Sequence, residues 1–408
     1  MEEGVYSRIQ RFAKQLSVLL VLAVVLGACG TSGNTETTGE PATTNATTDG
    51  TDAPVTTATP PTDTSSLTQT TASPGAEGGS CAVEGQPRET TLLLPFPFAV
   101  PFFSVFVADA RGYFEEEGLD VAIETADGSA SVVQQVVSDR VEFGISDPGP
   151  IINAVGFGED LKVVYVYQTG LIYGLVTEEG APYDEITDLA GQPIGISSAT
   201  AGEVPFLEGL LASNGIDPAT DVSIIESGDG GPTAVAFQND SIEAYFSDYF
   251  NLIELGFEVP LHSFDLGEFG LLHAASVVVK SELIDSDPQL IECVTRAMAR
   301  ATEFTHASPE AALIAIAEAY PEQVTDPEGF DLLAIEETIS RTEQYEESGG
   351  LWGWNRPESW AGYIELLGSR GELTADIEPE TLYTNDFIDA ANDFDKAAEA
   401  AAAEELAG

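Results

Sequence analysis

The sequence predicts an α/β protein of two lobes hinged as a clamshell, followed by a helical C-terminal region. Three observations predict it. Strand-like apolar runs alternate with helical spacing in two successive series, from about residue 91 to 177 and from about 184 to 272. An apolar strand at 274–279 then reads as a return to the first lobe, so the chain crosses between lobes twice, a geometry that closes around ligands. Beyond it, proline residues mark a run of helix starts.

In the first series, Leu92-Leu93-Leu94 suits a short buried strand. A proline-broken loop carrying Phe96, Phe98, Phe102 and Phe103 follows, and helical spacing sets in over Phe102, Val105, Phe106 and Asp109, with Arg111-Gly112 near its stop. Residues 119–123 read as a second strand. This strand–helix–strand unit sets the aromatic loop at the carboxyl end of a strand, where ligands of open α/β sheets bind. A helix is predicted over 129–137, and a strand over 143–146 is stopped by Asp147-Pro148-Gly149-Pro150. Strands at 161–167 and 173–177 complete a first lobe expected over 86–182 and 273–345.

The second lobe, expected over 183–272, has strands at 193–197, 222–225 and 242–246 and helices beginning near Gly202, Pro232 and Tyr249. Pro288, Pro309, Pro327 and Pro357 each stand at a first helical position, three of them after the capping residues Asp287, Ser308 and Asp326. Residues 346–408 form the helical C-terminal region, whose Ala- and Glu-rich tail after Asp389 reads as a helix or a frayed end.

A chain of 408 residues, 43% hydrophobic, is long enough for two lobes with sizeable cores. Its 14 basic and 69 acidic residues give a net charge of −55, which argues against nucleic acid or anionic lipid as an electrostatic partner. Residues 1–29 read as a targeting segment: Arg8, Arg11 and Lys14 precede an apolar run from Leu16 to Leu26 that is short for a membrane span. Leu26-Gly27-Ala28-Cys29 resembles a bacterial lipobox, in which Cys29 is acylated. Residues 30–85 read as a flexible Thr/Ser/Pro-rich tether, too poor in large apolar side chains to offset the entropy of ordering. Besides Cys29 only Cys81 and Cys293 remain; in an oxidising compartment they are expected to form one disulfide, two buried free thiols being the alternative.

Family resemblance rests on several stretches in order. "GYFEEEGLDV" at 112–121, "VEFGISDPGP" at 141–150, "DLAGQPIGISSATAGEVPFLEGLLASNGID" at 188–217 and "ASVVVKSELI" at 275–284 together resemble the ABC-importer substrate-binding proteins of the nitrate, sulfonate, taurine and thiamine-pyrimidine-precursor branch. The resemblance implies the periplasmic-binding-protein type II fold. It also implies a small-molecule ligand and an ABC permease with its ATPase as partners. The protein is expected as a monomer held at the extracytoplasmic face of a bacterial membrane by a lipid anchor only.

Enzyme motifs are nearly absent: there is no HExxH, CxxC pair, Walker loop, GxSxG or GxGxxG. His262, His273 and His306 are too scattered for a metal site or a triad and read as packed or surface side chains. No cofactor and no catalysis are expected. A pyrimidine-precursor synthase of similar fold would need a cofactor-bound lysine, and Lys162, Lys280 and Lys396 all lie outside the candidate cleft loops. A surface sensor that kept the clamshell is the third class considered.

The candidate ligand residues lie at strand-to-helix junctions. Ser197, Ser198, Thr200 and Gly202 precede a helix whose N-terminus favours a negative or dipolar group, although Thr200 and Glu203 also have capping-box spacing. Ser146, Asp147, Asp229 and Asp248 sit at three further junctions, each carboxylate either a helix cap or a ligand contact. Where many relatives of the resembled branch have Trp-x-Pro, this chain has Ser247-Asp248-Tyr249. Phe96, Phe98 and Tyr167 are the aromatic candidates, and Trp352, in the loop "SGGLWGWNRP", is either a lid or a plug beneath a helix. The candidate loops at 95–101, 146–150, 197–203, 227–232 and 247–250 hold no Lys or Arg, which favours an aminopyrimidine or related nitrogen heterocycle over an alkanesulfonate, taurine or nitrate.

Overall fold

The computed structural model describes residues 81–199, 203–373 and 375–408. The first series gives β1 (Arg88–Leu94), α1 (Phe103–Ala110), the short α2 (Tyr113–Glu116), β2 (Leu119–Thr125), α3 (Ser129–Val137), β3 (Phe143–Ser146), α4 (Pro148–Gly156) and β4 (Leu161–Val166). The second gives β5 (Tyr173–Glu178), β6 (Pro193–Ile196), α5 (Val204–Ser213), β7 (Ser223–Glu226), α6 (Gly231–Gln238), β8 (Ala244–Asp248), α7 (Tyr249–Glu258) and β9 (Leu261–Ser263). After β10 (Ser276–Lys280) come α8 (Ser281–Ser286), α9 (Pro288–Ala307), α10 (Pro309–Ala319), α11 (Phe330–Ser340), α12 (Pro357–Ser369), α13 (Ile388–Ala391) and α14 (Lys396–Ala407).

Two five-stranded sheets result, ordered β2-β1-β3-β10-β4 and β7-β6-β8-β5-β9. In each, one strand runs against the rest: β10 is antiparallel to β3 and β4, and β5 to β8 and β9. These are the strands by which the chain arrives from the other sheet. Their first residues therefore lie beside the carboxyl ends of their neighbours: Ser276 pairs with Ser146 and Val166, and Tyr173 with Asp248. Both crossings thus deliver chain to the ligand-binding edges.

The expected end of the first lobe requires correction. The strand starting at Tyr173 was expected to close lobe one at about residue 182, but β5 belongs to the second sheet. It finds no place on the first because the free edge of β4 is already covered: Val163 bonds Leu382 and Thr384, and Val166 donates to the Gly353 carbonyl. Gly353 has φ +87°, and a Cβ there would press into the Tyr165 ring, so the loop can lie flat on β4 only with glycine.

Two helix starts also differ. Pro148 and Pro150, read as a stop, open α4, because proline is tolerated in a first turn whose N–H groups have no helical partner. Asp326-Pro327 lies in a turn before α11, where the Asp331 carboxylate accepts the N–H groups of Thr325 and Asp326 at 2.7 and 2.6 Å. The other starts stand as expected: Asp287 caps α9 through Leu290 N, and Ser308 caps α10 through Ala311 N.

The first core is centred on α9, which turns Leu290, Ile291, Val294, Ala297, Met298, Ala301 and Phe304 inward at helical spacing, all fully buried. On the same helix Cys293 forms a disulfide with Cys81, at an S–S distance of 2.06 Å. The Arg296 guanidinium grips Glu117 through two bonds of 3.0 and 2.8 Å. The tail is docked: Glu399 of α14 accepts from Arg300 at 2.8 Å and from the Tyr113 hydroxyl at 2.5 Å. No described helix is long and apolar enough to cross a membrane.

Candidate functional site

A cavity of 620 Å³ opens where the two sheets' carboxyl edges meet the crossing segments, with Asp147 and Gly149 from the first lobe, Leu171, Tyr173 and Ala274 from the crossings, and Phe206 from the second lobe on its wall. Its deep end is aromatic. The Tyr173 ring packs on Phe206 at 5.0 Å and on Phe246 at 5.9 Å, and Phe206 meets Tyr363 edge-on at 5.7 Å. The Tyr363 hydroxyl is held by the His273 carbonyl at 2.5 Å, which fixes that ring's position.

Carboxylates gather around Tyr173. Burial, followed by the charges of Asp147, Asp248 and Glu203, raises the Tyr173 phenol well above its ordinary range. The carboxyls of Asp147, Glu203 and Asp248 are themselves pushed up, in each case chiefly by burial. Opposing this, the Ser129 hydroxyl donates to Asp147 at 3.0 Å, and Ser197 donates to Glu203 through both N–H and hydroxyl at 2.6 Å. No Lys, Arg or His belongs to the cavity wall among the described residues. The wall offers carboxylate acceptors, the amides of Gln134 and Asn153, and ring faces.

The three aspartates separate by use. Asp248 caps α7, accepting from the N–H groups of Phe250 and Asn251. Asp147 stands at the equivalent position before α4 and caps nothing; its carboxylate turns to Ser129 and the cavity. Asp229 is exposed, accepts from the Tyr245 hydroxyl at 2.9 Å, and leaves the cap position of α6 to Gly230.

The remaining candidates divide. Ser146 is fully buried and spends its hydroxyl on the carbonyls of Ser129 and Asp147. Ser197 acts through Glu203, whose side chain is thereby diverted from the expected capping box, and Ser198 lies half-buried beside it. Thr200 and Gly202 lie outside the described residues, as does Cys29. Phe96 and Phe98 are 40% and 59% exposed at the end of β1, Phe96 packing on both Phe98 and Phe102, and neither reaches the cavity wall.

Two aromatic candidates lie off the cavity wall. Tyr167 is fully buried, its hydroxyl bonded to the Pro101 carbonyl at 2.6 Å and its ring packed on Phe103, so it braces the aromatic loop from beneath. Trp352 is a plug: its indole N–H donates to Glu303 at 2.8 Å and its ring lies 4.5 Å from His306 in the first core. The histidines are packed or exposed, as expected. Burial pushes His273 down to about 3 and His306 down to about 4, and His262 is exposed. No group of three or more potential metal-ligating side chains occurs among the described residues.

Sequence reading missed Tyr173, Glu203 and Phe206 as site residues. Each sits where its local pattern gives another sufficient reason for it: a strand start, a cap spacing, an apolar helix position.

A family model described as NMT1/THI5 like matches residues 100–312. The chain is 23% identical over 309 residues to the riboflavin-binding protein RibY of Chloroflexus aurantiacus, covering 74% of this chain and 86% of that one. It is 25% identical over 312 residues to a formylaminopyrimidine-binding protein of Halalkalibacterium halodurans, covering 71% and 87%. Among solved structures, the periplasmic aliphatic sulphonate binding protein SsuA of Escherichia coli superposes with a TM-score of 0.56 at 11% identity, over 74% of this chain and 99% of that one. A putative sulfonate-binding SsuA of Methylobacillus flagellatus gives 0.56 at 14% identity, over 75% and 94%. The fold is that of the periplasmic binding proteins.

Proposed function

The chain belongs to the NMT1/THI5-like family, and from that premise we propose that it is the substrate-binding component of an ABC importer, capturing a nitrogen-bearing heterocycle. One observation carries the choice of ligand: the cavity joins Asp147, Tyr173 and an aromatic wall with no cationic side chain among the described residues. An amino-substituted ring donates N–H bonds to a carboxylate and lays its faces against Tyr173 and Phe206, whereas a sulfonate would meet like charge. Both curated relatives are named for nitrogen-bearing rings. The likeness to the sulphonate-binding structures, at 11% and 14% identity, speaks for fold alone.

The protein works by closure, not by bond chemistry. Ligand that contacts both lobes favours the closed state by its differential affinity and is then presented to a permease and its ATPase. Both curated relatives are named as binding proteins. A disulfide fits an extracytoplasmic setting, where thiols are oxidised. Cys29 is the proposed acylation site and the Thr/Ser/Pro-rich stretch the spacer; its expected end at residue 85 is corrected to 80, because Cys81 is bonded to Cys293 and Val83 pairs with Gln86. The monomer is the working unit.

Calorimetric titration with cytosine, lumichrome and taurine tests the ligand class. Micromolar heterocycle binding with silence from taurine is expected, and the converse would make the reading wrong. For the anchor, Cys29→Ser is expected to move the protein from the membrane fraction to the soluble one at unchanged melting temperature. Wild-type protein already wholly soluble after export would sink that part.

A further inference from the structure

The cavity is larger and longer than a single ring requires. Its 620 Å³ would hold about 20 waters at roughly 30 Å³ each, yet much of its wall is apolar. From the deep end at Asp147 and Tyr173 it runs outward along α3 and α4. On α3 the lining residues are Ala130, Val133, Gln134 and Val137, one face at helical spacing, and the wall along α4 continues from Gly149 through Ala154 to Phe157, the residue just past the helix end. At about 1.5 Å per residue these faces extend roughly 10 to 12 Å. Leu366 and Leu367 of α12 close the opposite side.

Polarity varies along this slot. The Asp147 carboxylate and the Tyr173 ring mark one end, and the exposed carboxylates of Glu159 and Glu372 mark the other, with Val133, Val137, Ala154 and Leu367 on the wall beside the amides of Gln134 and Asn153. In a packed protein, helical faces of this kind meet other side chains, because a void forfeits the dispersion contacts of the atoms lining it. Here Val133, Leu366 and Leu367 are nearly buried and pack in one cluster, while Val137 and Ala154 stay partly accessible along the shared space.

We propose that this slot is the specificity-determining part of the site and that its ligand is a fused-ring nitrogen heterocycle, long enough to place a donor edge at Asp147 while its apolar body lies between α3, α4 and α12. This rests on the reading of the protein as a heterocycle-binding component. A single aminopyrimidine ring would satisfy the Asp147 end and leave the outer slot to water.

The test compares lumichrome, three fused rings without a side chain, with cytosine, one ring. Both are titrated into wild-type protein and into Ala154→Trp, which fills the middle of the slot. Ala130→Trp, at an exposed position on the facing helix, serves as a second filling variant, and melting curves verify that each is folded. Lumichrome is expected to bind at least tenfold more tightly than cytosine and to lose at least tenfold in a folded filling variant, with cytosine affinity unchanged. Equal or tighter cytosine binding, or lumichrome binding that neither filling variant alters, would overturn the proposal while leaving a heterocycle-binding protein. Binding of taurine and of neither ring would overturn both.

Discussion

Asp147 and Asp248 stand at matching junctions in the two lobes, each ending a strand and preceding a helix, yet only Asp248 caps. Its carboxylate accepts two backbone N–H groups of α7, whereas that of Asp147 faces Ser129 and the cavity. Asp147→Asn is therefore expected to weaken heterocycle binding by about 10- to 100-fold, since a hydrogen bond to a charged group contributes roughly 1.5–3 kcal/mol. Asp248→Asn keeps an effective cap and is expected to leave the melting temperature nearly unchanged. Titration calorimetry and melting curves on both variants check the pair.

The same burial sets a pH dependence. Asp147, Glu203 and Asp248 have carboxyls raised above their ordinary values, so the folded protein binds protons there more tightly than the unfolded chain does. Stability from these groups is fully present below the ordinary carboxylate range and is lost as pH rises through the raised values. The unliganded melting temperature is expected to fall as pH rises above the ordinary carboxylate range, with a shallower slope in Asp147→Asn. An unchanged slope in that variant would show that Asp147 is not one of the titrating groups.

Among the elements, α9 has the most consequences. It fills the first core, and its Cys293 ties it to Cys81, where the chain joins the fold beside Glu117 and Gly118. The bond closes a loop of 212 residues in the unfolded chain. Replacing both cysteines with serine is expected to cost about 3–5 kcal/mol in a denaturant melt. Ligand affinity should stay the same, because Cys81 lies at the amino end of the first sheet and the cavity at its carboxyl edge. A loss of affinity at preserved fold would show that the two edges are coupled.

At the scale of the molecule, a net charge of −55 is a distributed repulsion that no single ion pair relieves. Arg88–Asp287, Lys280–Asp139, Arg296–Glu117 and Arg300 between Glu116 and Glu399 engage much of the scarce positive charge locally. Screening should therefore stabilise the fold. Raising salt from about 0.1 to 1 M shortens the Debye length from roughly 10 to 3 Å, and the melting temperature is expected to rise by on the order of a few degrees, as a gain of a kcal/mol or two would produce. A melting temperature that falls with salt would mean that these local pairs outweigh the repulsion.

Much of the fold was legible locally. The strands at Leu92–Leu94 and 143–146, the helix at 129–137 and the starts at Pro288, Pro309 and Pro357 follow from side-chain period and capping chemistry within a few residues. Cysteine arithmetic anticipated the Cys81–Cys293 bond, and the loops without Lys or Arg are matched by a cavity wall with no cationic side chain among the described residues. The sheet to which β5 belongs was not legible, because its partner β8 lies some seventy residues on and the competing edge of β4 is covered by residues 353 and 382–384. The places of Tyr167, Trp352 and Glu203 were not legible for the same reason. A buried aromatic and a ligand-facing one have the same local pattern, and a glutamate at cap spacing can turn back to a serine six residues earlier. Periodicity tells which residues must leave water; which of them meet protein and which meet a ligand depends on partners brought near only by folding.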